Sequence, residues 1–249
     1  MSVLGSFAEI PLLAKTGAKL PVCYWGNLRK ARKSEIGWIP EGLLLSDELR
    51  HLQKSAILFA MAFAEALDPG QTQVIVLNGM SSVGKSSVAK AVQRIAQKPF
   101  LHVQMDDFLT MLPPRAIEHE DGLVFHRIDS KNIDVQFGPI VTRALEGMRY
   151  AIAAMAERGN HMIVDDVFFD SEDTEYRQLL RQFDLRLIGL FAPLDVVRNR
   201  ELARGDREIG LAQGQFERVH NGRTYDLEVD TSQAPPDAIA RKICEAFGL

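Results

Sequence analysis

One short stretch of the chain has the residue types and the spacing of a phosphate-binding loop. It reads G-x-x-x-x-G-K-S from Gly79 to Ser86 and follows an apolar run at residues 74–77. Glycines at both ends let the backbone turn where a Cβ would clash, so successive amide N–H groups can bind phosphate oxygens. Lys85 would reach the β- and γ-phosphates of a nucleotide, and the Ser86 hydroxyl would bind Mg²⁺. A glycine turn that only joins a strand to a helix gives no reason for Lys85 and Ser86 to follow Gly84.

The helix-forming stretch at residues 87–96 would point the positive end of its dipole at the same anion. The sequence therefore predicts a P-loop. Its predicted nucleotide contacts are Gly79, Ser81, Ser82, Val83, Gly84, Lys85, Ser86 and Ser87.

A second predicted strand, residues 99–108, ends in Asp106 and Asp107. Ligands bind beyond the carboxyl ends of parallel strands, so both carboxylates are expected near the phosphates. Side chains alternate along a strand, so we expect the two not to face the phosphates equally. The residues alone leave three roles open for Asp106: a general base, an outer partner of Mg²⁺, or a cap of the short turn before Pro113.

A third predicted strand, residues 161–169, carries Asp165 and Asp166 after an apolar run, which is the Walker B arrangement. Either carboxylate would organise Mg²⁺ together with Ser86. The alternative is a strand whose final Asp only caps the next turn. We favour the Mg²⁺ role, because this is the only other predicted strand that ends in a pair of carboxylates.

Arginines are dense around Gly205, at positions 198, 200, 204 and 207. Such a set beside a glycine hinge is typical of a lid over a triphosphate, because guanidinium groups neutralise charge that shifts to the leaving oxygen. We predict that Arg200 contacts the nucleotide and that Arg204 and Arg207 close over the transferring group. Alone, the same arginines could form a solvated helix face.

The elements around these motifs alternate between strand and helix at least four times, which predicts a parallel sheet covered by helices on both faces. The predicted fold is the α/β, three-layer P-loop kinase fold over residues 71–249. Residues 1–70 are predicted to form an N-terminal extension, with an irregular segment and a packing helix at 46–67. Residues 115–135 form no obvious core element, and a long excursion beside an active site usually serves acceptor recognition.

Composition narrows the function classes. The 249 residues are 46% hydrophobic, and no apolar run approaches the length of a membrane span or the pattern of a signal peptide, so we expect a cytoplasmic protein with no membrane partner. A net charge of −4 gives no argument for nucleic acid. Residues 1–40 carry six lysines and arginines against two glutamates, which we interpret as a solvated face rather than a site for an acidic partner. Cys23 and Cys244 lack the spacing of metal ligands and are expected to be buried thiols. The composition does not decide whether the protein forms a homo-oligomer.

The order of the motifs resembles the chloramphenicol phosphotransferase family over about residues 72–249. The resemblance rests on residues 77–86 (LNGMSSVGKS), 105–113 (MDDFLTMLP), 163–168 (IVDDVF), 200–207 (RELARGDR) and 220–231 (HNGRTYDLEVDT). It implies a P-loop kinase fold and an enzyme that passes the γ-phosphate of ATP to a hydroxyl of a small molecule, as in antibiotic resistance. It also implies that Asp106 is the base.

The leading hypothesis is therefore an ATP- and Mg²⁺-dependent O-phosphotransferase with a small-molecule hydroxyl acceptor. One alternative is a nucleoside, nucleotide or sugar-nucleotide kinase of the toxin type. Another is an ATP-binding switch that is not a kinase; a GTPase switch is disfavoured because the sequence has no N-K-x-D guanine-reading motif.

Overall fold

The computed structural model describes residues 71–129, 132–204 and 209–249, and the findings below concern these residues. The predicted N-terminal extension with its helix at 46–67, the basic segment 1–40, Cys23 and Arg207 lie outside them.

In the described residues, seven strands form a main sheet and a separate hairpin. In chain order they are β1 Gln73–Asn78, β2 Phe100–Gln104, β3 Leu123–Asp129, β4 Asn132–Phe137, β5 His161–Asp166, β6 Asp184–Phe191 and β7 Leu227–Asp230. The main sheet has the order β2-β5-β1-β6-β7, and all of its neighbouring strands are parallel. The predicted parallel sheet is thus confirmed.

The central strand β1 shows why the sheet needs helices on both faces. All six of its residues are buried, which is typical of a parallel strand covered on two sides. Ile75 and Leu77 point into one apolar core, and Val74 and Val76 point into the other. The sheet therefore lies between two apolar cores.

Helices cover both cores. They are α1 Lys85–Ile95, α2 Met105–Leu109, α3 Pro139–Ala156, α4 Glu172–Leu179, α5 Leu194–Arg204, α6 Leu211–Gln215 and α7 Pro236–Phe247, with one 3₁₀ turn at Pro114–Ala116. Residues of α1 and α7 belong to the first core, and residues of α3 and α4 belong to the second. The predicted three-layer P-loop kinase fold is confirmed.

The excursion at 115–135 is more ordered than its sequence indicates. Strands β3 and β4 form an antiparallel hairpin in which Leu123 pairs with Phe137 and Phe125 with Val135. Apolar and polar residues alternate along β4, whereas β3 begins with three apolar residues in a row and continues with mostly polar ones. The expectation of no core element was wrong here, because β3 lacks a regular alternation and its second half carries charged residues, so the strand gives no clear signal in sequence.

Two further structural observations concern membrane spans and Cys244. In the part of the chain that the structure describes, no helix combines the length and the apolar character needed to cross a membrane. Cys244 is buried in α7 as a free thiol, and burial raises its pKa.

Candidate active site

The loop after β1 keeps its shape through two glycines. A Cβ on Gly79 would lie 2.7 Å from the backbone oxygen of Leu190 on β6 and 2.8 Å from Cγ1 of Val83, so only glycine fits. Gly84, directly before α1, has a φ of 109°, in the left-handed region that favours glycine. Ser82 also takes a positive φ, of 61°. This tightly turned loop leads directly into the N-terminus of α1.

The ammonium group of Lys85 lies close to the backbone of the loop. Lys85 is 8% exposed, and its Nζ donates to the carbonyl oxygens of Gly79 at 2.7 Å and Met80 at 3.2 Å. The same nitrogen lies 3.7 Å from Oδ1 of Asp165. The ammonium group is thus held between the backbone of the loop and the carboxylate of Asp165 on β5.

Ser86 and Asp165 meet beside Lys85. The Ser86 hydroxyl donates to Oδ2 of Asp165 at 2.5 Å, so the first turn of α1 and the end of β5 bring a hydroxyl and a carboxylate together. His102, on β2, places Nε2 3.9 Å from the same carboxylate oxygen. Burial lowers the pKa of His102, and the nearby Asp165 only partly opposes this effect. Sequence reasoning missed His102, because a lone histidine in a strand is no motif.

Asp166 lies on the other side of β5 from Asp165. Its carboxylate accepts hydrogen bonds from the Tyr176 hydroxyl at 2.8 Å and from the Val167 N–H at 2.8 Å. Burial raises the pKa of Asp166 to about 6, against the lowering effect of those hydrogen bonds. Of the two carboxylates predicted to organise Mg²⁺, the structure therefore brings Asp165 to the loop and turns Asp166 away, because side chains alternate along the strand.

The strand that was predicted to carry Asp106 and Asp107 ends earlier than expected. β2 ends at Gln104, and both aspartates lie in the first turn of α2, where negative charge stabilises a helix N-terminus. The argument from strand alternation was wrong for this pair, yet the two side chains still differ. Asp106 lines the cavity described below, whereas Asp107 is exposed and contacts Gln104.

The predicted lid arginines have different surroundings. Arg200 donates to the carbonyl oxygen of Val83 at 3.0 Å, and to the hydroxyl and carbonyl oxygens of Thr231 at 2.9 and 2.8 Å. It therefore joins the loop to the end of β7 while lining the cavity. Arg204 is exposed at the end of α5 and lines the same cavity.

These groups surround a cavity of about 1550 Å³ at the carboxyl ends of the strands. The loop lies after the central strand β1, so the residues that follow β7 and those that follow β2 border the cavity from opposite edges of the sheet. On the β7 side the cavity is lined by Thr231, Ser232, Ala234, Pro235, Pro236 and Ile239. On the β2 side it is lined by Asp106 and by Leu109, Leu112, Ile117, Leu123, Phe125, Val135, Phe137, Val167 and Phe169. The predicted loop residues 81–87 lie between the two groups.

Two polar residues that brace the loop were also missed. Asn78, the last residue of β1, donates to the Tyr225 hydroxyl at 2.6 Å and to the Val219 carbonyl at 2.8 Å. Gln215, on α6, accepts a hydrogen bond from the Ser81 N–H at 2.6 Å. A buried asparagine ending an apolar strand was a usable signal, but α6 was not predicted, so Gln215 could not be placed.

Comparisons with known proteins agree with this geometry. The family model for "Chloramphenicol phosphotransferase-like protein" matches residues 72–248. In two strains of Mycobacterium tuberculosis, CDC 1551 / Oshkosh and H37Rv, a protein provisionally named an O-phosphotransferase is 30% identical over 193 residues, covering 70% of this chain and 82% of that protein. Among solved structures, the tunicamycin resistance protein of Deinococcus radiodurans has a TM-score of 0.51 and 17% identity, covering 72% of this chain and 97% of that one. That likeness shows a shared fold.

Proposed function

The chain belongs to the chloramphenicol phosphotransferase-like family of P-loop phosphotransferases, and from this premise we propose that it moves the γ-phosphate of ATP to a hydroxyl of a largely apolar small molecule. The observation that carries the proposal is the cavity, which joins a phosphate loop to a carboxylate and an apolar wall. A phosphate loop alone would also suit a nucleotide switch. The carboxylate and the apolar wall on the β2 side are what a second, acceptor substrate requires.

The residues beside the loop fit Mg²⁺. Ser86 Oγ and Asp165 Oδ2 already touch at 2.5 Å, and a hydroxyl and a carboxylate are the hard oxygen ligands that this ion takes in P-loop proteins. Asp165 rather than Asp166 would hold the ion, because the Asp166 carboxylate is occupied by Tyr176. When bound, Mg²⁺ would neutralise charge on the β- and γ-phosphate oxygens.

The protein's own groups would position ATP and the acceptor and would remove the proton of the acceptor hydroxyl. The loop amides, Lys85 and the N-terminus of α1 would hold the β- and γ-phosphates. The acceptor oxygen would bond to the γ-phosphorus while the bond from that phosphorus to the β–γ bridging oxygen breaks and ADP leaves. The hydroxyl proton would pass to Asp106, which lines the β2 side of the cavity. Arg204 and Arg207 would offset the charge that shifts during transfer.

The lining of the cavity supports an apolar acceptor over a sugar phosphate or a nucleotide. Most of the side chains that line the β2 side are apolar, whereas its described charged lining residues, Asp106 after β2 and Asp165 on β5, are carboxylates, which would repel an anionic acceptor. Antibiotics that carry a hydroxyl group, chloramphenicol included, belong to the favoured class. We propose antibiotic inactivation in the cytoplasm as the role to test first.

The test uses the full-length protein, ATP labelled on the γ-phosphate, and a panel of apolar alcohols, nucleosides and sugars. We expect label on an apolar alcohol. Label found only in inorganic phosphate would refute phosphotransfer, and label on nucleosides or sugars would refute the proposed acceptor class. Asp106→Asn should lower turnover at least about 100-fold, the typical contribution of a general base. The matched change Asp107→Asn should cost much less, since Asp107 is exposed and does not line the cavity.

A further inference from the structure

Gln215 lies beside the phosphate loop with its carboxamide in a fixed orientation. The residue is 8% exposed, lines the cavity, and accepts the Ser81 N–H on Oε1 at 2.6 Å. A backbone N–H can only donate, so the carbonyl oxygen must face Ser81 and the NH₂ group must face elsewhere. Among the described residues, Nε2 of Gln215 has no hydrogen-bond acceptor. Two N–H groups are therefore available to a ligand in the cavity.

The neighbours of the loop indicate which part of the nucleotide Gln215 would meet. Val83, farther along the loop, is contacted by Arg200 and Thr231 from the β7 side. Ser81 is contacted from α6 instead. The two positions thus face different ends of the cavity.

Helix α6 belongs to the acceptor end. The Ile133 N–H of the hairpin donates to the Gly210 carbonyl at the start of α6, at 3.1 Å. Gly214 approaches the hairpin so closely that a Cβ there would lie 2.1 Å from the Ile133 carbonyl oxygen. The hairpin lines the acceptor side of the cavity, and the phosphate that is transferred must point toward the acceptor. Gln215 therefore lies where the terminal phosphate belongs.

A buried carboxylate holds this helix from the other side. Glu201 of α5 is 1% exposed, and it accepts the N–H groups of Gly210 at 2.8 Å and Ala212 at 3.0 Å. Arg198 on the same helix donates to Gln213. Helix α6 is thus fixed between α5 and the hairpin, and Gln215 is presented to the loop by a rigid support.

We infer that Gln215 recognises the γ-phosphate of ATP. Its oxygen holds the Ser81 amide in place, and its NH₂ group donates a hydrogen bond to a γ-phosphate oxygen. The site therefore prefers ATP to ADP. This inference rests on the proposed function, which supplies ATP as the donor. A neutral amide suits the task, because it can accept from the loop and donate to an anion at once. A glutamate of the same length would still accept from Ser81 but would repel the γ-phosphate.

The test compares two nucleotides in the full-length protein. Isothermal titration calorimetry with Mg²⁺ measures the affinity for ADP and for a non-hydrolysable ATP analogue in wild type and in Gln215→Glu. We expect the variant to lose at least about tenfold in affinity for the analogue, the size of a lost hydrogen bond to a charged group, and less than about threefold for ADP. Gln213→Glu is the matched control, since it adds the same charge to the same helix but contacts Arg198 rather than the loop.

The outcomes separate the inference from the proposed function. Equal losses for both nucleotides, or none, would overturn the role of Gln215 and leave phosphotransfer standing. A wild-type protein that binds neither nucleotide would overturn both. If circular dichroism shows that Gln215→Glu does not fold, Gln215→Met gives the same comparison, because methionine has similar length and neither donates nor accepts strongly. A selective loss for the analogue supports the inference, and an equal loss contradicts it.

Discussion

Replacing Asp166 by asparagine should stabilise the protein at neutral pH. The carboxyl group is 2% exposed and touches Tyr176 and Val167, and burial raises its pKa from 3.8 to about 6. Asparagine keeps the shape and the hydrogen bond from the Val167 N–H, which its oxygen can accept, and its NH₂ group can donate to the Tyr176 oxygen; the Tyr176 hydroxyl proton then loses its acceptor. The substitution therefore removes a buried charge at the cost of one hydroxyl acceptor, so the gain worked out below is an upper bound.

The size of the effect follows from the pKa difference. The folded state holds the Asp166 proton more tightly than the unfolded state, so the stability associated with this proton is complete below about pH 3.8 and is lost as the pH rises through about 6. The difference of about two between the folded and unfolded pKa values corresponds to a loss of about 3 kcal/mol in the free energy of unfolding above pH 7. By the same relation about half of it, roughly 1.5 kcal/mol, is already lost at pH 5. The Asn variant lacks this pH-dependent loss.

Urea unfolding followed by circular dichroism at pH 5 and pH 8 measures the effect. The free energy of unfolding of Asp166→Asn should exceed that of wild type by up to about 3 kcal/mol at pH 8 and by about half as much at pH 5. Asp237→Asn, at an exposed carboxylate paired with Arg94, should change stability by less than about 1 kcal/mol. A variant that is less stable than wild type at pH 8, or a difference that does not change with pH, would refute the reasoning.

The same variant separates the two carboxylates of β5. Asp166→Asn should keep the Mg²⁺ dependence of nucleotide binding, since this side chain faces Tyr176. Asp165→Asn should weaken it, because Asp165 is the carboxylate that contacts Ser86. The reverse pattern would show that the register of β5 toward the loop is wrong.

Five further substitutions test the loop, the lid and helix α3. Lys85→Met should lower transfer by about 10²–10³-fold with the fold intact, measured by labelled phosphate and circular dichroism. Arg204→Ala and Arg207→Ala should lower kcat more than ATP affinity, since lid arginines act as charge develops; the reverse would make them ground-state contacts. Gly79→Ala should lower stability by about 1–3 kcal/mol, because its Cβ would lie 2.7 Å from a carbonyl oxygen of β6. Gly147→Ala, with nothing within 4 Å of its Cβ in helix α3, should instead raise stability by up to about 1 kcal/mol.

The main sheet was predictable because each of its strands carries a local signal. Apolar runs followed by glycine or aspartate mark β1 and β5, and the loop between β1 and α1 must contain glycine whatever surrounds it. The family resemblance is confirmed by the family model over residues 72–248, close to the range that the motifs indicated. These features are local in sequence, so a single chain is enough to find them.

The position of Asp106 depended on a boundary that the sequence does not mark. Met105 and Phe108 are apolar like Phe100 and Val103, so composition does not mark the end of the strand at Gln104, where the next residues begin a five-residue helix. The acidic pair stabilises the N-terminus of that helix, a preference too weak to predict its start. Residue propensity thus placed the two aspartates near the phosphates but assigned them to a strand instead of to helix α2.

The two halves of the cavity differ in how much the sequence can reveal of them. Phosphate binding demands a fixed chemistry, namely glycines, a lysine and a hydroxyl at set spacing, so that half is visible as a motif. The proposed acceptor half would demand only shape and apolar surface, and residues such as Phe125, Val135 and Phe137 look in sequence like any half-buried hairpin. What marks them as a site is their position beside Asp106, which brings a carboxylate and an apolar wall to one cavity. We therefore expect the hairpin side chains that line the cavity to select the acceptor, and variants of these three side chains should change which alcohol is phosphorylated before they change the affinity for ATP.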